Sequence, residues 1–242
     1  MSPAALAGEP GARRISPLLL LLVILSFFLV FAGVSCNTET TRSTIGSIEA
    51  SQGVSAAATA QVNACIDGLS GVNVLAYSGW QLAFGGNPWI GSVPAACQQS
   101  GGLPTIDTSS ANIGPQLPVM LALVSVALAL VFAIAGALGL LAARTRAVIT
   151  AVFAAAAGAL LIVDQLHVRD VLLAKIASSA GSSGPGFLGI TSLFSVNPGI
   201  GLVLALVILA VAVLYNVAAI IVTPVSEAAQ TPEPPPPLSP PP

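Results

Sequence analysis

The chain has 242 residues, of which 55% are hydrophobic and only 7% charged, with a formal net charge of -2. Soluble domains carry roughly 25% charged residues, so this balance excludes an ordinary soluble protein. So small a net charge also argues against nucleic acid or a strongly anionic lipid surface as a partner.

Four apolar stretches, at 17–34, 117–142, 147–163 and 199–222, organise the chain. A hydrocarbon core needs about 20 residues of helix to cross, and in lipid each segment must satisfy its own backbone polar groups. The expected fold class is therefore all-α membrane. It has four transmembrane helices and a small disulfide-bearing α/β outer segment between the first two.

In chain order the reading begins with a cytoplasmic N-terminus at 1–16, carrying Arg13 and Arg14, and a first span at 17–35. Those arginines, the apolar run and the small residues before Cys36 also have the form of a signal peptide. A lipoprotein signal would want leucine or a branched residue where Gly33 stands, and the twin arginines lack the rest of a Tat pattern, so the span is read as retained.

The outer segment covers 36–116. Ile45, Ile48, Val54, Ala58, Val62 and Cys65 recur at mostly three- to four-residue steps, the period of a weak amphipathic helix across 38–64. Residues 72–84, bounded by Gly71 and alternating in character, predict a short strand or hairpin, and Gly85-Gly86-Asn87-Pro88 a turn. Residues 100–115 read as loop.

Cys65 and Cys97 both lie in this segment, on the oxidising side in this topology, and are expected to pair. Such a bridge is worth about 3–4 kcal/mol in the chain-entropy account. Cys36 is then left over at the membrane surface, as a buried free thiol or, alternatively, a lipid site or intermolecular bridge.

The second span, 117–143, and the third, 147–163, are joined by Arg144-Thr145-Arg146, a short basic turn with no acid beside it. By the positive-inside rule that turn and both termini are cytoplasmic. Ala135 with Gly139, and Ala154 with Gly158, suggest close approach of the two helices. The third helix is expected to continue to about residue 178. An outer loop at 179–198, a fourth span at 199–222 and a Pro-rich cytoplasmic tail at 223–242 complete the chain.

Phe31-Ala32-Gly33-Val34-Ser35-Cys36, Ser78-Gly79-Trp80-Gln81-Leu82-Ala83-Phe84-Gly85, Gly186-Phe187-Leu188 and Leu214-Tyr215-Asn216 together resemble a pattern in bacterial four-span membrane proteins of actinobacterial type. The Ala, Gly, Val and Pro bias fits a high-GC bacterial genome. The resemblance implies topology, in a bacterial plasma membrane, and no activity. Claudin-like proteins share four spans and a large first outer loop. Their Gly-Leu-Trp run is absent here, and Cys65 precedes both Trp80 and Trp89.

Several chemistries lack their residues. His167 is the single histidine and the methionines are Met1 and Met120, which leaves a two-histidine haem without ligands. There is no Cys-x-x-Cys pair and no Gly-x-Ser-x-Gly. The stretches as bounded above hold no carboxylate and no basic residue, which argues against ion-coupled transport. Ser26, Ser125, Thr150, Tyr215 and Asn216 read as packing groups. Asp164, His167 and Asp170, at three-residue steps past the third span, are weak candidates for a metal or proton-sensing site against an ordinary solvated helix end.

The expectation is a non-enzymatic integral membrane protein without cofactors. The lipid bilayer is its solvent, and its outer segment contacts another envelope protein as an accessory or interaction subunit. The alternative is a small-solute or lipid transporter or sensor with a pocket among the helices.

Overall fold

A computed structural model describes residues 12–52, 55–92, 94–95, 97, 111–179 and 193–228. The Pro-rich tail and Gly186-Phe187-Leu188 lie outside the described residues. The described chain is mostly helical, with a small antiparallel sheet.

The first helix, α1, runs Ala12–Ser26 and does not continue through 35 as the sequence suggests. At its end Ser26 Oγ donates to Val23 O at 2.6 Å, and the amides of Phe27, Phe28 and Leu29 bond three residues back. Residues Val30–Cys36 then form strand β1. An apolar run rich in aromatic and β-branched residues fits a fully buried strand as well as a helix, and periodicity cannot separate the two. Strand partners decide the matter, because β1 pairs on both sides.

One partner is β2 (Asn73–Ser78), which follows helices α2 (Thr38–Gln52) and α3 (Ala56–Leu69). Helix α4 (Gly79–Phe84) and the two-residue strand β3 (Trp89–Ile90) come next. The stretch read as strand or hairpin is thus half helix. Ser78 Oγ accepts from Gln81 N at 3.1 Å while Gln81 Oε1 accepts from Ser78 N at 2.8 Å, a reciprocal cap that starts α4. The Cys65–Cys97 disulfide ties the end of α3 to the chain beyond β3. Arg42 and Asp67, both exposed, form an ion pair between α2 and α3, which in water contributes little.

Three long helices follow: α5 (Leu117–Ala137), α6 (Ala143–Ser179) and α7 (Ile200–Ala228). Strand β4 (Phe194–Pro198) immediately precedes α7, within what the sequence suggests is an outer loop. The sheet order is β3-β2-β1-β4, antiparallel throughout. Three helices are long and apolar enough to cross a membrane: Leu117–Ala137, Ala143–Lys175 and Ile200–Ile221. The apolar part of α1, Ile15–Ser26, falls short of the ~20 residues a perpendicular crossing needs.

These four helices pack in a ring, α1 on α5 and α7, α6 on α5 and α7. Many inner positions are small: Ala122, Ala129, Ala133 and Gly136 on α5, Ala147, Ala154 and Ala157 on α6, Ala205 and Ala212 on α7, interleaved with larger residues such as Val126, Leu161 and Leu209. Large aliphatic residues such as Leu121, Leu128, Val152, Ile162, Val207 and Leu214 point outward and are exposed. Small residues inside and large apolar ones outside suit a bundle whose solvent is lipid, where backbone proximity rather than burial drives packing. The buried seam of α5 includes Gly136 rather than Gly139, which sits in the connecting turn at φ 80°. A Cβ at Gly136 would strike the side chain of Arg146. Arg144 and Arg146 belong to the first turn of α6, not to the connection.

Candidate functional site

The sheet has two unlike faces. Register places Ala32, Val34 and Cys36 with Tyr77, Leu75, Val196 and Phe194. Ala32, Val34, Leu75 and Tyr77 belong to the same buried cluster as the bundle interior, so sheet and helices share one core. Tyr77 donates from its hydroxyl to Ala111 O at 2.6 Å, and burial pushes that phenol up to about 12. Burial likewise raises the free, half-buried thiol of Cys36.

The other face is polar and uncharged. Ser35 and Ser195, paired across β1 and β4, have hydroxyls 2.8 Å apart, and Asn197 Nδ2 donates to Ser35 Oγ at 2.9 Å. A register irregularity between Val34 and Ser35 brings Asn73 opposite Ser35. The Asn73 amide lies over Gly33, where a Cβ would come within 2.5 Å of its Oδ1. Asn73, Ser35, Ser195 and Asn197 therefore run across three strands. None of the four is ionisable.

Beside the sheet, the exposed rings of Phe28, Trp80 and Phe84 cluster where α1 ends and α4 begins. Phe28 and Trp80 stack at 5.4 Å, and Trp80 and Phe84 lie 4.5 Å apart. Exposed aromatic residues at the rim of an apolar bundle have the composition of a membrane-interface belt.

The three weak metal candidates do not converge. Asp164 is 4% exposed, whereas His167 and Asp170 are exposed. Steps of three residues rotate each successive side chain back by about 60°, which carries the later two off the buried seam. Among the described residues no group of three His, Cys, Asp or Glu could hold a metal ion.

Asp164 corrects the reading of this stretch as a solvated helix end. The helix continues past 163 as expected, but the seam Ala154, Ala157, Leu161, Asp164, Val168, Leu172 keeps core spacing throughout. Its Oδ1 is buried without a hydrogen-bond partner, as are Thr150 Oγ1 and Arg146 Nε lower on the same helix. Other interior polar groups are satisfied. Asn216 Nδ2 donates to Ala212 O at 2.7 Å and to Ser16 Oγ at 3.3 Å, joining α7 to α1. Ser125, half-buried on the outer side of α5, donates from its Oγ back to Leu121 O at 2.8 Å.

No family model, no curated protein and no solved structure matches this chain.

Proposed function

We propose that the chain is a non-enzymatic, four-span bacterial plasma-membrane protein with both termini cytoplasmic. Its outer module contacts another envelope protein, as an accessory or interaction subunit. Span count rests on α1, whose apolar turns pack between α5 and α7 and run on into β1. Orientation rests on Arg144 and Arg146 at one end of the bundle, with the disulfide at the other.

The observation that carries the interaction reading is how the sheet is mounted. β1 leaves α1 after a three-residue turn, and β4 enters α7 after Gly199 alone. One face is merged with the core, and the opposite face carries the polar row on the same rigid mount, with Asn197 exposed, Asn73 and Ser195 half-buried and Ser35 buried. Rigid presentation lowers the ordering cost of binding.

A photo-crosslinking amino acid at position 197, with a control at lipid-facing Val207, tests this in cells. One stoichiometric protein adduct from 197, absent from 207, supports the reading. Lipid adducts alone from both positions would count against it. The second reading, a small-solute or lipid transporter or sensor, is favoured by one observation, the buried carboxyl of Asp164.

A further inference from the structure

A carboxyl group inside an apolar helix bundle is costly unless something neutralises it, and several kcal/mol are at stake for an ion without a partner. Asp164 has no such partner among the described residues. Facing elements supply none: α5 has no ionisable residue from Leu117 to Ala137, β4 has none, and α7 has none from Ile200 to Leu214. On β1 and β2 the titratable groups are Cys36 and Tyr77, and Tyr77 is committed to Ala111 O. Along α6 itself, His167, Arg169 and Asp170 are exposed, and Lys175 donates to Asn112 O.

The site has a definite place. Gly136 abuts Arg146, and Phe132 stacks on Phe153 at 6.1 Å, so α5 and α6 run antiparallel in a known register. Counting onward brings Asp164 level with the first turns of α5, at the end of the bundle nearest the sheet. β4 packs on α6, and the buried residues at this end include the aliphatic Val119, Ala122, Leu161, Val168 and Leu202 and one neutral amide, Gln116, which donates to Ile113 O and Gly114 O.

We propose that Asp164 binds a proton within the sheet-proximal end of the bundle and is carried there as the neutral acid. A proton neutralises the single carboxyl, and the surrounding Val and Leu side chains offer no oxygen to ligate a larger cation. Proton binding does not depend on a protein partner at the sheet, since the polar row faces away from the core.

The full-length protein in lipid nanodiscs, treated with dicyclohexylcarbodiimide and mapped by peptide mass spectrometry, tests the proposal. This apolar reagent modifies protonated carboxyls in water-poor surroundings. Modification at Asp164 under mildly acidic conditions should fall several-fold as the pH is made alkaline. At fixed pH and ionic strength, exchanging choline for sodium or potassium should leave the modification unchanged, and suppression by either overturns the proposal. No modification of Asp164, or the same extent at every pH, also overturns it. The thermal midpoint of the wild-type protein should shift over the same pH range, and Asp164→Asn should abolish that shift. A folded Asp164→Asn that keeps it also overturns the proposal. Should that variant not fold, the wild-type labelling decides.

Discussion

Gly199 shows how much one missing side chain can decide. A Cβ there would run into the carbonyl of Val30, and at Gly201 it would lie 2.8 Å from Leu29 Cβ and 2.9 Å from the carbonyl of Ser26. Because these neighbours are largely backbone, they cannot swing aside as a long side chain would. Gly199→Ala should therefore cost about 1–3 kcal/mol, seen as a lower thermal midpoint in detergent with the disulfide intact. Tyr77 supports a prediction in pH. Burial raises its phenol to about 12, above the ordinary value near 10, so the folded state holds its proton more tightly. That contribution is complete below about pH 10 and is lost as pH rises toward about 12. Tyr77→Phe should lose about 1 kcal/mol near neutrality with the hydrogen bond to Ala111. Its stability should then fall less steeply than the wild type's over the alkaline range, as followed by unfolding at stepped pH. Ser78 and Gln81 spell a capping box in the sequence, and that signal alone could have located the start of α4.

At the scale of elements, periodicity served the long helices and failed the buried strands. Leu117–Ala137 and Ile200–Ile221 are apolar over more than five turns, a length no strand in a small sheet attains. β1 is equally apolar but short, an inner strand of the sheet whose residues Phe31 to Ser35 are all buried. Its helix-like composition comes from that burial. β4 fails in the other direction, as five residues, Phe194–Pro198, three half-exposed and two exposed, carry too little pattern to stand out from a loop. Helix α4 is short, and its exposed Trp80 and Phe84 with Phe28 form a ring cluster at the rim of the bundle. If that rim lies at the lipid interface, Trp80 fluorescence in a Trp89→Phe background should be quenched more by lipids brominated near the glycerol than by lipids brominated near the chain ends. Equal quenching by neither set would place α4 away from the bilayer. The same reasoning separates Asp164 from His167 and Asp170: sequence spacing gives the angle between side chains, but which of them faces inward depends on where α5 and α7 lie.

For the whole molecule, the proposed topology places the sheet and the disulfide on one side and the α5–α6 connection on the other. Cysteine introduced at Ser43 should react with a membrane-impermeant maleimide added outside intact cells, in a background lacking Cys36. Cysteine at Thr145 should react only after permeabilisation. The reverse pattern would invert the orientation drawn from Arg144 and Arg146.

Composition alone determined that this chain is built for lipid, and hydropathy alone located three crossing helices. Cysteine count and placement pointed to the Cys65–Cys97 bridge. These are legible because they depend on local length, on solvent preference and on a shortage of alternatives. Only the tertiary structure decided that residues 30–36 are a strand, that the loop before α7 supplies its neighbour, and that the buried seam of α6 runs through Asp164. Strand pairing joins residues far apart in the chain, here Val34 with Val196, so no local window contains it. Whether a polar side chain on a helix meets solvent or core is set by the neighbouring helices, and the carboxyl of Asp164 is buried because α5 and α7 close over it.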